Sequence, residues 1–368
     1  FTIFGNAMQG LCEPGIVYGM NDKNQNGLAD DTWYELEGSD HYFSNSLSQY
    51  EVNYINPHQH VATDIPWTDN QGNDGFIFAN NTHTQPYYPT HDSFSFIDPD
   101  QYILAGSKIE LPKDTTQLGI TKFMQRSFGY ADNQIIGTAP YTIPDNPYTN
   151  KKENSGGDPF DINWAVDSFG NYITLDKIHF IKVQTAVMQN GGWLGEASTE
   201  IRGAVDVAPN SSLQGPLDMI VIRDLPPILD TSHHQLEVFA FHKGHIQQDK
   251  EILFKTSMEE ATIDENHLLT VGTSGALEIT AILAEDTTVR TSVSTLVELP
   301  SAIGEHIFQK SSLIFPNPAL NHINIKLKEK VRIDFYQANG NLIFSMPEYI
   351  PGKSIPIGDL PAGLYLIH

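Results

Sequence analysis

Turn-forming residues interrupt this chain so often that few windows sustain a helical period. Short alternating or β-branched runs occur at 52–55, 173–175, 178–183, 219–222, 236–241 and 277–283, each bounded by Gly, Pro, Asn and Asp clusters. Gly supplies positive φ, Pro fixes φ, and Asn and Asp bond to their own backbone, so such clusters reverse the chain. Apolar runs this short between reversals fit strands. The expected class is all-β, with sandwiches in series.

Composition divides the chain into three segments. Residues 1–208 are rich in Asn, Asp, Tyr and Trp and hold all 4 tryptophans. Ala208-Pro209-Asn210-Ser211-Ser212 reads as a linker. Residues 209–306 turn to aliphatic and Thr-rich strands, and 307–368 form a compact strand-rich module. The chain opens inside an expected strand, Phe1-Thr2-Ile3-Phe4, so a leading portion is expected to precede it. With 45 acidic against 21 basic residues the formal charge is −24. That surface repels phosphate backbones and argues against nucleic acid as a partner. It attracts divalent cations or simply keeps the protein soluble. Cys12 is the single cysteine, so no intrachain disulfide forms. No apolar stretch approaches the ~20 residues of a membrane-spanning helix.

In the last segment Ile323, Ile325 and Leu327 alternate with polar residues, as do Val331, Ile333 and Phe335. Asn339-Gly340-Asn341 between such runs is a hairpin signal, because type I′ turns need positive φ at both central positions. The module opens on Phe315-Pro316-Asn317-Pro318-Ala319 and closes on Leu360-Pro361-Ala362-Gly363-Leu364-Tyr365. This pattern resembles the type A C-terminal sorting domain of type IX secretion cargo. Pro316, Asn317, Pro318, Gly340, Gly363 and Tyr365 match its motif. The resemblance implies export across the outer membrane, through a translocon and a cargo-shuttle barrel, to the cell surface. Family members continue past the Gly-x-Tyr strand, so a last strand is expected beyond His368.

The middle segment carries Ala261-Thr262-Ile263-Asp264, then Leu268-Leu269-Thr270, Gly275 and Ile279-Thr280-Ala281. This cadence resembles bacterial Ig-like repeats and implies a spacer. His233-His234 and the pair His242 and His245 fit solvent-facing strand positions more readily than a metal site.

The sharpest chemistry lies in Asp22-Lys23-Asn24-Gln25-Asn26-Gly27-Leu28-Ala29-Asp30-Asp31. Oxygen-bearing side chains at loop positions 1, 3, 5 and 9, Gly at 6 and a carbonyl at 7 follow calcium-loop logic. Asp22, Asn24, Asn26, Leu28, Asp30 and Asp31 are therefore the candidate calcium ligands. Position 12, which in an EF-hand is a bidentate Glu, is Trp33, so Asp31 or Glu35 would close the shell. Glu13-Pro14-Gly15-Ile16-Val17, Trp33-Tyr34-Glu35-Leu36-Glu37-Gly38, Gly129-Tyr130-Ala131-Asp132-Asn133 and Phe160-Asp161-Ile162-Asn163-Trp164 surround the loop in sequence. Together they resemble a family of Bacteroidota cell-surface proteins, which implies location more than mechanism. The runs at 178–183 and 196–201 are similar to the late strands of jelly-roll, discoidin-like domains. The full expectation is a jelly-roll-like domain over 1–208, an Ig-like module over 209–306 and an Ig-like sorting module over 307–368.

No Gly-x-Ser-x-Gly, His-Glu-x-x-His, phosphate-loop or dinucleotide signature occurs. Cys12, between Leu11 and Glu13, reads as a buried structural thiol. Asp132 and Asp161 are candidates for a second cation, and Asp132 with Asp161 or Glu196 with Glu200 for paired-carboxylate chemistry. Trp67, Tyr87 and Tyr88 form a candidate platform for a sugar or other flat ligand, or simply pack a loop. The first reading is a non-enzymatic, surface-displayed binding or accessory protein for a glycan or small nutrient. The alternatives are an extracellular carbohydrate-active enzyme and an adhesive structural protein.

Overall fold

The computed structural model describes residues 1–8, 10–80, 84–90, 97–111, 113–114, 121–135, 145–148, 156–191, 195, 197–207, 218–299, 314–315, 319–327, 329–337, 341–358, 360–361, 363 and 365–367. Strands dominate, and the helical element among these residues is a single 3-10 turn, Ile162–Trp164. The chain divides into two compact units, Phe1–Leu299 and Pro300–His368. The expected boundary at 208/209 lies outside the described residues.

In the larger unit, Trp33–Leu36 and Phe180–Thr185 flank Gly15–Met20 in an antiparallel sheet, with Ala165–Val166 at one edge. All six residues of Gly15–Met20 are buried, because both faces of the sheet are covered. Successive side chains alternate between the faces. Val17 and Leu36 enter an aromatic core with Phe128, Phe160 and Trp164. Ile16 and Tyr18 point the other way, toward Ile109, Leu111 and Phe123.

A second antiparallel sheet runs Asp74–Ile77, Ile65–Asp69, Ser46–Ile55, Gln101–Ile109. A bulge interrupts its register between Leu47 and Tyr50, where Gln49 takes φ of 53°.

The strands after residue 217 are stitched to the first part of the chain. Asp218–Arg223 pairs with Glu237–His242, and both of their faces are buried. Ile220, Ile222 and Val238 enter an aliphatic core with Leu269, Leu277 and Ile279. Val221 and Phe241 enter the aromatic core with Trp164. The run Met219-Ile220-Val221-Ile222 is apolar at every position for this reason.

Five of the six expected runs overlap strands. Residues 173–175 are the exception. Asp167 Oδ1 accepts the N–H groups of Phe169 and Asn171 at 2.8 and 2.9 Å, reversing the chain just before them. Only Tyr172 forms an isolated bridge, to Val166, and Leu175 is buried without a ladder.

Among its described residues the smaller unit holds two three-stranded sheets. Ile323, Ile325, Ile333, Phe335, Tyr349 and Ile355 fill its core. The Tyr349 hydroxyl donates to the carbonyls of Ile325 and Lys353 at 3.0 and 2.8 Å. Asp334, which the alternation places outward, is buried and held by Arg332 Nε at 2.9 Å and by the Ser345 hydroxyl.

Candidate functional site

The second sheet makes a cavity from its period-two pattern. Tyr50, Val52 and Tyr54 share one face of Ser46–Ile55, beside Ile65 and Trp67 and beside Tyr102 and Leu104. Residues 87–89 and 185–190 wall the face in, leaving a cavity of about 440 Å³. Trp67, Tyr87 and Tyr88, the three platform candidates, all line it. A Cβ at Gly75 would stand 2.7 Å from the Trp67 ring, so this glycine lets the indole lie across the neighbouring strand. The Tyr87 hydroxyl accepts the Asn80 N–H at 3.1 Å, and the buried Tyr88 donates to the Asp98 carbonyl at 2.5 Å. Phe76 and Phe78 remain half exposed at the rim, with ring centroids 6.2 Å apart. The one lining cation among the described residues, Lys108, lies 4.8 Å from the Tyr50 ring centroid.

The loop at 22–31 joins two paired strands at Met20↔Trp33. Asp22 accepts the N–H groups of Asn26 and Gly27 at 3.2 and 2.9 Å. Asp30 accepts from the amides of Asn24 and Asn26 at 3.3 and 2.9 Å, and Asn26 Oδ1 accepts the Leu28 N–H at 2.8 Å. Gln25 and Gly27 take the left-handed turns, at φ of 59° and 75°. Side chains 22, 24, 26 and 30 are thus linked through shared hydrogen bonds. Asp31 instead caps the start of the loop, accepting the Lys23 N–H at 2.8 Å. Glu35 takes no part in these contacts and accepts the Ser107 hydroxyl at 2.8 Å.

Among the described residues, one group of three metal-competent side chains converges within 4.8 Å: Glu13, Asp132 and Glu200. Asp132 accepts the N–H groups of Asn6 and Glu200 at 2.7 and 2.9 Å, and Glu13 accepts that of Ser198 at 2.9 Å. Burial pushes Glu13 up to about 7, against the pull of the Ser198 N–H, and raises Asp132 as well. These backbone donors make the group a fastening between distant segments. Asp161 has different partners: it accepts the Tyr148 hydroxyl at 2.8 Å and the Asn163 N–H at 2.9 Å, capping the 3-10 turn. Glu196 lies outside the described residues. Burial drives the Cys12 thiol up to about 12, the setting of an inert thiol. His242 pairs with Asp218 at 2.9 Å, and His245 stacks on Tyr172.

In the smaller unit, Val331–Gln337 and Leu342–Tyr349 pair antiparallel across the expected turn, with Tyr336 opposite Leu342. Tyr365 begins a strand on the other edge of Val331–Gln337, and its hydroxyl donates to the Pro361 carbonyl at 2.5 Å. Gly363 lies two residues before that strand, while Pro316, Asn317, Pro318 and Gly340 lie outside the described residues. Residues 313–368 match the family model described as "Secretion system C-terminal sorting domain". The chain is therefore type IX secretion cargo, addressed for export across the outer membrane to the cell surface or extracellular space. A search of curated proteins finds no match. Among the described residues no helix is long and apolar enough to cross a membrane.

Proposed function

We propose that this exported protein is a non-enzymatic binding or accessory protein, which holds a small ring-bearing ligand in the aromatic cavity of residues 46–109. The observation that carries this is the convergence of Tyr54, Trp67, Tyr87 and Tyr102 on one space of about 440 Å³. Ligand pockets combine such apolar walls with a few placed polar groups, here Lys108 and Asn190. The aromatic walls favour a small nutrient with a flat face over a glycan. A ligand that binds only the folded state raises the melting temperature. A panel of water-soluble vitamins, aromatic acids and oligosaccharides, read by melting temperature and tryptophan fluorescence, is expected to yield flat-ring binders. Their effect is expected to vanish in Trp67→Ala. Binders whose effect survives that substitution would move the site elsewhere.

Calcium in the loop at 22–31 is part of the same reading. Asp22, Asn24, Asn26 and Asp30 would supply side-chain oxygens and Leu28 its carbonyl, with Asp31 holding the loop closed. A hard cation takes about six to eight oxygens, so the Asn24 and Asn26 amides would turn their oxygens inward. Calcium is expected to raise the melting temperature, chelator to reverse the rise, and Asp22→Ala to abolish it. An unchanged melting temperature would reduce the loop to a hydrogen-bonded turn.

A further inference from the structure

Behind the wall formed by Tyr50 lies a second cavity, of about 570 Å³ and different chemistry. It opens where the bulge at residues 48–49 meets the turn at residues 167–170. Bulges of this kind re-aim side chains and gather next to functional sites. Left-handed Gln49 is fixed there by donating to the Ser168 carbonyl at 2.6 Å.

Tyr18 and Glu35 stand opposite each other on neighbouring strands and form the inner wall. Tyr18 is 7% exposed, and its hydroxyl makes no hydrogen bond of good geometry, with the Glu35 carboxylate and the Ser107 backbone the polar groups beside it. Such a group carries an uncompensated desolvation cost. The fold nevertheless makes room for it, since a Cβ at Gly106 would lie 2.0 Å from the hydroxyl oxygen. Burial, reinforced by Glu35, raises the phenol's pKa, so it remains a donor. Glu35 accepts the Ser107 hydroxyl at 2.8 Å and pairs with His41 at 3.6 Å, and a carboxylate with about four lone-pair sites keeps acceptor capacity beside both.

At the mouth, Phe169 is 83% exposed on a turn locked by Asp167. Packing does not explain an aromatic ring this exposed on a fixed turn.

We propose that this cavity is a saccharide site, in which a neutral sugar ring stacks on Phe169 and presents a hydroxyl to the Tyr18 hydroxyl and Glu35. A hydroxyl donates and accepts at once, which suits a poorly partnered phenol beside a carboxylate. An organic cation is a poorer occupant. The inner carboxylates already hold His41: burial pulls this imidazole down, but Glu35 and Glu37 outweigh that and carry it up to about 9. The faces of Tyr18 and Trp33 already carry the Lys182 ammonium, at 4.0 and 5.4 Å. An acidic sugar would meet Glu51 and Asp167 with no Lys or Arg among the described lining residues. The site is independent of the ligand proposed for the aromatic cavity.

Calorimetry on the full chain, with neutral hexose and pentose oligosaccharides against hexuronic acid and hexosamine oligomers, tests this. Neutral sugars are expected to bind, with Phe169→Ala and Tyr18→Phe each weakening them about tenfold or more and Trp67→Ala leaving them unchanged. Tyr18→Phe separates function from folding, because removing an unsatisfied buried hydroxyl leaves stability equal or higher. A variant that melts no lower yet fails to bind supports the site. Absence of neutral-sugar binding, equal or tighter binding of the charged oligomers, or binding that survives Tyr18→Phe would each overturn it.

Discussion

Deleting residues 313–368 is expected to remove the protein from the cell surface while leaving residues 1–299 folded. The two halves of this expectation rest on different observations. The sorting module holds its own core, from Ile323 to Ile355. Among the described residues, the three cores of the larger unit draw every side chain from positions 1–299. The deletion therefore removes none of these core side chains, and the melting temperature of the larger unit is expected to stay within a degree or two of the parent, since only lost interactions of about 1 kcal/mol move it further in a chain this size. What disappears is the address matched over 313–368. In cells with the type IX machinery, surface antibody labelling and shaving by external protease should fall to background, with the truncated chain retained behind the outer membrane. Surface labelling that persists would place the export signal elsewhere. Loss of the soluble folded chain altogether would show that the sorting module also protects the larger unit.

Much of this architecture is written locally, and the rest depends on contacts at long range. Alternation at Tyr50, Val52 and Tyr54, and again at Ile65 and Trp67, makes one face of a sheet legible before its partner strands are known. The loop at 22–31 is legible for the same reason, since its oxygens and its glycine lie within ten residues of each other. The uniformly apolar run at 219–222 was the trace of a strand covered on both faces, and it fits equally a strand of a free-standing module. What decides between them is whether Val221 and Phe241 meet Trp164, and no local pattern states that. The second cavity was hidden more deeply. Tyr18, Glu35, Ser107 and Phe169 come from four separate parts of the chain, and in sequence Glu35 stands out only as the alternative to Asp31 for closing the loop beside it. Its neighbour Glu37, two residues on in a buried strand environment, was the available hint, because buried carboxylates are retained only with partners.

Arg126→Ala is expected to cost about 3–5 kcal/mol, the range for removing one partner from a buried ion pair. The Arg126 guanidinium reaches Asp40 at 2.7 Å and Asp224 at 2.8 Å, with side-chain exposures of 6%, 1% and 26%. It ties the aromatic half of the larger unit to the first strand after residue 217. Asp224 has a second cation in Arg223 at 2.9 Å and lies partly in water, so it tolerates the loss. Asp40 does not. It keeps the Ser39 hydroxyl at 3.0 Å and the Asn45 amide at 2.8 Å, but neither neutralises a charge that is shut away from solvent. The destabilisation therefore belongs to a stranded carboxylate rather than to a missing attraction, and this distinction can be measured. Arg126→Met combined with Asp40→Asn removes both charges, keeps the stem volume and leaves an acceptor for Asn45. The double variant is expected to recover most of the loss, because replacing both members of a buried pair is far cheaper than removing one. Urea unfolding of both variants gives the comparison through the midpoint at constant slope. A loss below about 1 kcal/mol in Arg126→Ala would place Asp40 in contact with water, in the regime of exposed pairs. A double variant as unstable as the single would mean that the guanidinium, by its packing, holds the seam.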